Sequence, residues 1–153
     1  MNADNRIINA NPTKDFFIYM ITRDIDLKYA ILELVDNCID GAIKIRPSGD
    51  FNGLWVKIRV SEKEFSITDN CGGISIPVAA NYAFRFGRPK NAENNIDFST
   101  GIFGIGMKRA LFKLGKYFII ESKTENSYFK VQLDVNKWAS DDINWNFNFT
   151  SIN

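Results

Sequence analysis

Residues 33–42 run Glu33-Leu34-Val35-Asp36-Asn37-Cys38-Ile39-Asp40-Gly41-Ala42, and the helix they imply organises the rest of the chain. With Glu33 at zero and about 100° added per residue, Asn37, Asp40 and Lys44 fall within a sector of roughly 60° around it. Ile31, Leu34, Val35, Cys38, Ala42 and Ile45 fall across the opposite side. The spacing predicts a strongly amphipathic helix over about 27–46, stopped by the turn chemistry of Arg46-Pro47-Ser48-Gly49-Asp50. The polar stripe has an odd composition. A solvated stripe usually carries Lys, Glu and Gln, paired with opposite sign at four-residue spacing. Here a carboxylate is followed four residues later by a carboxamide, with further acids at Asp36 and Asp40. Two readings stand: an ordinary exposed face, or an aligned Glu base and Asn oxygen ligand facing a cleft. A Glu can orient and deprotonate water, and an Asn carbonyl can take one position on octahedral Mg²⁺.

Outward from this helix, residues 14–22 read as a short helix preceding it. Strands are expected at about 54–61 and 64–69, joined by the tight Glu62-Lys63 link, and residues 76–86 read as helical after Pro77. Residues 87–101 carry Gly, Pro, Asn and Ser with little periodicity, the profile of a long functional loop that would order on binding an anion. A helix at about 104–114 capped by Gly115, a hairpin at about 117–124 and 127–135 around Glu125-Asn126, and a strand at 145–150 complete the pattern. The stop at Asn153 with no closing helix suggests the N-terminal part of something longer, with 1–153 a single domain.

Two glycine turns add chemistry. Asp69-Asn70-Cys71-Gly72-Gly73-Ile74 ends a strand; it is either a plain β-turn or a carboxylate held in a pocket where it accepts from an exocyclic amine, with glycines that admit a flat ring. Ser99-Thr100-Gly101-Ile102-Phe103-Gly104-Ile105-Gly106-Met107-Lys108 spaces its glycines G-x-x-G-x-G, which is neither the dinucleotide fingerprint nor a P-loop. A glycine-rich stretch that opens into a helix still presents free N–H groups and a helix dipole to an anion, and Lys108 adds a cation. From Phe84 to Lys116 seven basic side chains face only Glu93 and Asp97, whereas Met1 to Asp40 holds four basic against seven acidic.

Composition bounds the remaining classes. The chain has 153 residues, 45% hydrophobic and 24% charged, with net charge +1, so disorder, collagen and coiled coil are excluded and no global polyanion partner is implied. With no His, Ser-His and Cys-His catalysis and His-ligated metals are excluded. Cys38 and Cys71 form no C-x-x-C pair. No apolar run approaches the roughly 20 residues of a membrane span, and a cytoplasmic domain is the default expectation.

In order, the 33–42 stretch, Asp69-Asn70-Cys71-Gly72-Gly73 and Gly101-x-x-Gly104-x-Gly106 resemble the three motifs of the GHKL superfamily, which joins gyrase B, the heat-shock chaperone ATPases, histidine kinases and MutL proteins. Phe86-Gly87-Arg88-Pro89-Lys90 followed by GxxGxGMK looks most like MORC-type and related prokaryotic ATPases. The resemblance implies an α/β sandwich of the Bergerat type: a mixed, mainly antiparallel sheet with helices on one face, holding ATP and Mg²⁺ beneath a mobile lid. It implies Glu33 as general base and Asn37 as Mg²⁺ ligand, with Asp40 and Gly41 beside them. Asp69 would read adenine, with Gly73 and Ile74 under the ring. Lys90, Thr100, Gly101, Phe103, Gly104, Ile105, Gly106, Met107 and Lys108 would form the lid and triphosphate cradle. Cys71 stands where the first glycine of D-x-G-x-G usually does, which predicts a narrower adenine pocket or an altered turn. Thr150 is the candidate for the family's Thr near adenine, and the catalytic Lys that some relatives supply from a second domain is missing. The implied activity is ATP hydrolysis driving a conformational or dimerisation switch, with an ATP-dependent homodimer in a longer protein and nucleic acid engaged only through regions outside this chain. A GHKL-type serine kinase and a non-hydrolysing nucleotide-gated module are the alternatives.

Overall fold

The computed structural model describes residues 8–87 and 105–153. Lys90, Thr100, Gly101, Phe103 and Gly104, and all but the first residue of the 87–101 loop, lie outside the described residues. Two helices come first. Helix α1 (Lys14–Thr22) starts at Thr13, whose hydroxyl accepts from the Phe16 amide, and α2 (Leu27–Ile45) starts at Asp26, whose carboxylate accepts from the Tyr29 amide. Each cap satisfies one of the donors that a helix start leaves unpaired. Strands β1 (Val56–Val60) and β2 (Phe65–Asp69) form an antiparallel hairpin with Ile58 opposite Ile67. A single turn α3 (Ile76–Val78) runs into a π-helical turn at Ala79–Ala83. Helix α4 (Gly106–Leu114), strands β3 (Tyr117–Lys123) and β4 (Tyr128–Asp134), helix α5 (Val135–Ala139) and strand β5 (Phe149–Ile152) follow.

The strands make two antiparallel sheets, β1-β2 and β3-β4-β5. The segment after β2 is tied to the larger sheet by a side chain: Ser122 Oγ on β3 accepts from the Ile74 amide at 2.7 Å and donates to the Ile74 carbonyl at 3.2 Å. In the larger sheet Phe118, Phe129, Val131 and Leu133 alternate inward and are buried, while Tyr117, Ile119 and Glu121 face out. Helical residues close that inward face, through Phe112 of α4, Trp138 of α5 and Ala79 of the π-turn. The arrangement is the expected α/β sandwich, with its helices on one face of the three-stranded sheet. Ala30 of α2 and Ala110 of α4 are wholly buried, and the absence of bulk there lets α2 and α4 pack closely, with Ile25, Leu34, Phe65 and Ile67 filling the space around them.

The last quarter departs from the sequence expectations. The strand expected to reach 135 ends at Asp134, which caps α5 by accepting from the Lys137 amide. The strand expected at 145–150 begins only at Phe149. Before it, Trp145 and Phe147 pack into the aromatic core around Phe86, Phe112 and Trp138, so their alternation reflects burial off the sheet. Lys14 is fully buried, and its ammonium donates to the carbonyls of Trp138 (2.8 Å), Asn144 (2.6 Å) and Asp141 while lying 4.3 Å from the Trp138 ring. Those acceptors offset the cost of burying a charge and tie α1 to the 138–144 segment. Among the described residues no helix is long and apolar enough to cross a membrane.

Candidate functional site

Helix α2 carries the polar stripe of the candidate site, and its exposure is uneven. Glu33, Asn37 and Asp40 are half-buried, whereas Leu32, Ile39 and Ile43 of the same helix are exposed. Asp36 and Lys44 are exposed as on an ordinary solvated face, so the withdrawal from solvent is confined to Glu33, Asn37 and Asp40. Glu33 Oε2 lies against Gly106 at the start of α4, so close that a methyl group there would sit 2.1 Å from it. The carboxylate thus occupies a helix N-terminus, where unpaired amides and the dipole favour an anion, and Ile105, the residue before Gly106, supplies no side-chain cap. One turn along, the Asn37 amide nitrogen donates to the Glu33 carbonyl at 2.8 Å, leaving its oxygen as the group presented elsewhere.

The far half of α2 meets the turn after β2. Gly41 comes so near the Cys71 carbonyl that a Cβ would stand 2.5 Å from it. Asp69 is exposed at the end of β2; one carboxylate oxygen accepts from the Cys71 amide at 2.8 Å and the other faces the Cys38 thiol at 3.4 Å. Burial pushes the Cys38 thiol up to about 12, with the Asp69 charge adding to it, and raises Cys71 for the same reasons in the same order. Both therefore carry their protons at neutral pH. The Cys71 side chain is buried, with its sulfur 4.0 Å from the Trp55 carbonyl, so it lies under the hairpin. Gly72 and Gly73 both take positive φ (102° and 69°), and a Cβ on Gly73 would stand 2.5 Å from the Lys123 carbonyl. The glycines here serve the close approach of this turn to α2 and β3.

Of the other expected residues, Ile74, Met107 and Lys108 sit further into the protein, and Thr150 is exposed on β5. The Ile74 side chain packs against Ala79, Phe129 and Val131, and Met107 packs on the cluster of Ile25, Ala30, Leu34 and Ala110. Lys108 is 1% exposed, donates to the Ala83 carbonyl of the π-turn at 3.0 Å, and has its pKa pushed down by burial to about 8. Thr150 donates to the Lys130 carbonyl at 3.2 Å. The structure thus brings Glu33 to Gly106, and Cys38 and Gly41 to the Asp69–Cys71 turn. The part of Cys38 was hidden in the sequence because a thiol counts as apolar in a helical pattern; its position directly after Asn37 was the available signal.

Residues 25–151 match the model of a family described as histidine kinase-, DNA gyrase B-, and HSP90-like ATPase. No curated protein matches the chain.

Proposed function

We propose that this chain, which belongs to the histidine kinase-, DNA gyrase B- and HSP90-like ATPases, binds ATP with Mg²⁺ and hydrolyses it, using the cycle as a conformational or dimerisation switch. The observation that carries the reading is the placement of the half-buried Glu33 carboxylate at the N-terminus of α4. A base held there stands beside the helix end best suited to a phosphate, so a water between them is within its reach. In this reading the water oxygen bonds to the terminal phosphorus, the bond from that phosphorus to the bridging oxygen of ADP breaks, and Glu33 takes the water's proton.

Asn37 suits Mg²⁺. Its amide nitrogen is engaged by the Glu33 carbonyl, which leaves a hard neutral oxygen for the metal. Among the described residues no three His, Cys, Asp or Glu side chains converge as a protein-only metal cage, and Mg²⁺ typically draws on few protein ligands plus phosphates and water. When bound, the ion would neutralise phosphate charge. Asp69 would accept from the purine amino group, with Gly73 and Ile74 offering backbone beneath the ring and Asp40 and Gly41 the wall beside it. Gly101, Gly104, Ile105, Gly106, Met107 and Lys108 would cradle the triphosphate through their backbone amides, the Lys108 ammonium being engaged by the Ala83 carbonyl, and Lys90, Thr100 and Phe103 would belong to the lid. A longer protein would pair two such domains on ATP.

Calorimetric titration with MgATP and MgGTP tests the reading together with phosphate release. ATP should bind more tightly than GTP, because a carboxylate acceptor matches an amino group and repels a keto oxygen, and Asp69→Asn should reduce that preference. Equal affinities for the two nucleotides would overturn it.

A further inference from the structure

We propose that Cys38 is a positioning residue for the adenine acceptor: its thiol, together with the Cys71 amide, holds the Asp69 carboxylate in the orientation that reads a purine amino group. The inference rests on the reading of Asp69 given above. Asp69 is exposed at a strand end, and a carboxyl torsion has broad, shallow wells, so nothing intrinsic to the side chain sets the plane of its oxygens. Two contacts from different elements do so. The Cys71 amide, two residues along, fixes one oxygen at 2.8 Å, as an Asp side chain does when it closes a turn on its own backbone. The Cys38 sulfur, from α2, faces the other at 3.4 Å.

The sulfur is itself well placed. Cys38 is 7% exposed and its thiol also lies 3.3 Å from the Leu34 carbonyl, so it cannot turn to solvent. One S–H proton has two acceptors, and the charged carboxylate is the stronger of them. The donor's weakness matters. A carboxylate can accept about four hydrogen bonds, and a cationic partner would neutralise it, whereas an amide and a thiol orient it and leave its charge for the ligand. The contact also joins the two halves of the site, because Cys38 directly follows Asn37. Adenine recognition at Asp69 is thereby tied to the helix that carries Glu33 and Asn37.

The test compares Cys38→Ala and Cys38→Val, which lack a donor, with Cys38→Ser, which keeps one. Affinities for MgATP and MgGTP are read by calorimetry, and kcat and KM by phosphate release. Both donorless variants should weaken ATP binding about 5- to 10-fold, the loss expected of one hydrogen bond, and narrow the preference for ATP over GTP. The loss should fall on KM rather than kcat, and Cys38→Ser should restore the preference. Val preserves more of the volume, so the comparison survives if the Ala variant unfolds. If Asp69→Asn loses the ATP preference while Cys38→Val and Cys38→Ala keep it, this inference is overturned and the reading of Asp69 survives. If Asp69→Asn also keeps it, both are overturned.

Discussion

At the residue scale two glycines touch the site in opposite ways, and the difference predicts different defects. A Cβ on Gly106 would collide with the far end of the Glu33 side chain, which can swing aside at little cost in stability. A Cβ on Gly41 would collide with the Cys71 backbone carbonyl, which cannot. Gly106→Ala should therefore melt near the wild-type temperature while losing about 10- to 100-fold in phosphate release, since a general base contributes roughly 10²–10⁴. Gly41→Ala should be destabilised by about 1–3 kcal/mol through forced repacking, outweighing the ~1 kcal/mol that Ala gains over Gly within a helix. Thermal melts and release assays on both variants separate the cases; a Gly41→Ala protein more stable than wild type contradicts the close approach of α2 to the turn. Glu33 and Asn37 were legible because a carboxylate followed four residues later by a carboxamide, with further acids at Asp36 and Asp40, is an odd composition for a solvated face. What Glu33 touches was not, because its contact with Gly106 depends on how two distant segments pack.

At the element scale the long helix, both hairpins and α4 follow from periodicity and turn chemistry, whereas α5 and the π-turn do not. Asp134 is a proper N-cap signal, but a strand pattern running directly into it masked a helix only five residues long. The π-turn at Ala79–Ala83 ends by presenting a carbonyl to Lys108, a tertiary demand that local sequence does not display. The burial of the Lys108 ammonium sets a pH dependence. Below about pH 8 the Lys108 ammonium is charged in the folded and unfolded chain alike, and its burial holds stability down by the full amount. Between about 8 and its ordinary value of 10.5 the unfolded chain keeps a proton that the folded chain has released, so this group's contribution to stability rises with pH, by roughly 3 kcal/mol in all. Denaturant melts of wild type and Lys108→Met from pH 7 to 10.5 should differ by that rise, present in the wild type and missing in the variant. Parallel curves would contradict the buried ammonium.

At the scale of the whole molecule, α1 and the 138–144 segment are far apart in sequence, and Lys14 links them by supplying the donor for three backbone carbonyls. Lys14→Met keeps much of the stem and leaves those carbonyls without it, so a loss of about 2–3 kcal/mol is expected, or roughly 5–10 °C in melting temperature for a chain of this size. An unchanged melt would show that the link is dispensable. Nothing in the composition announced it, since a lysine in the first turn of a helix reads as a surface residue. The ordered triplet of motifs carried the family and the general layout; the division into two antiparallel sheets, and the tie from Ser122 to the segment after β2, needed coordinates. The account as a whole stands on Glu33 being a base beside the phosphate-binding helix end. The direct test is a paired measurement of MgATP affinity and phosphate release on wild type, Glu33→Ala and Asn37→Ala, with matched thermal melts. Glu33→Ala should bind ATP nearly as wild type and lose about 10²–10⁴-fold in release, while Asn37→Ala should lose Mg²⁺-dependent affinity as well. Hydrolysis by Glu33→Ala at the wild-type rate would contradict the account.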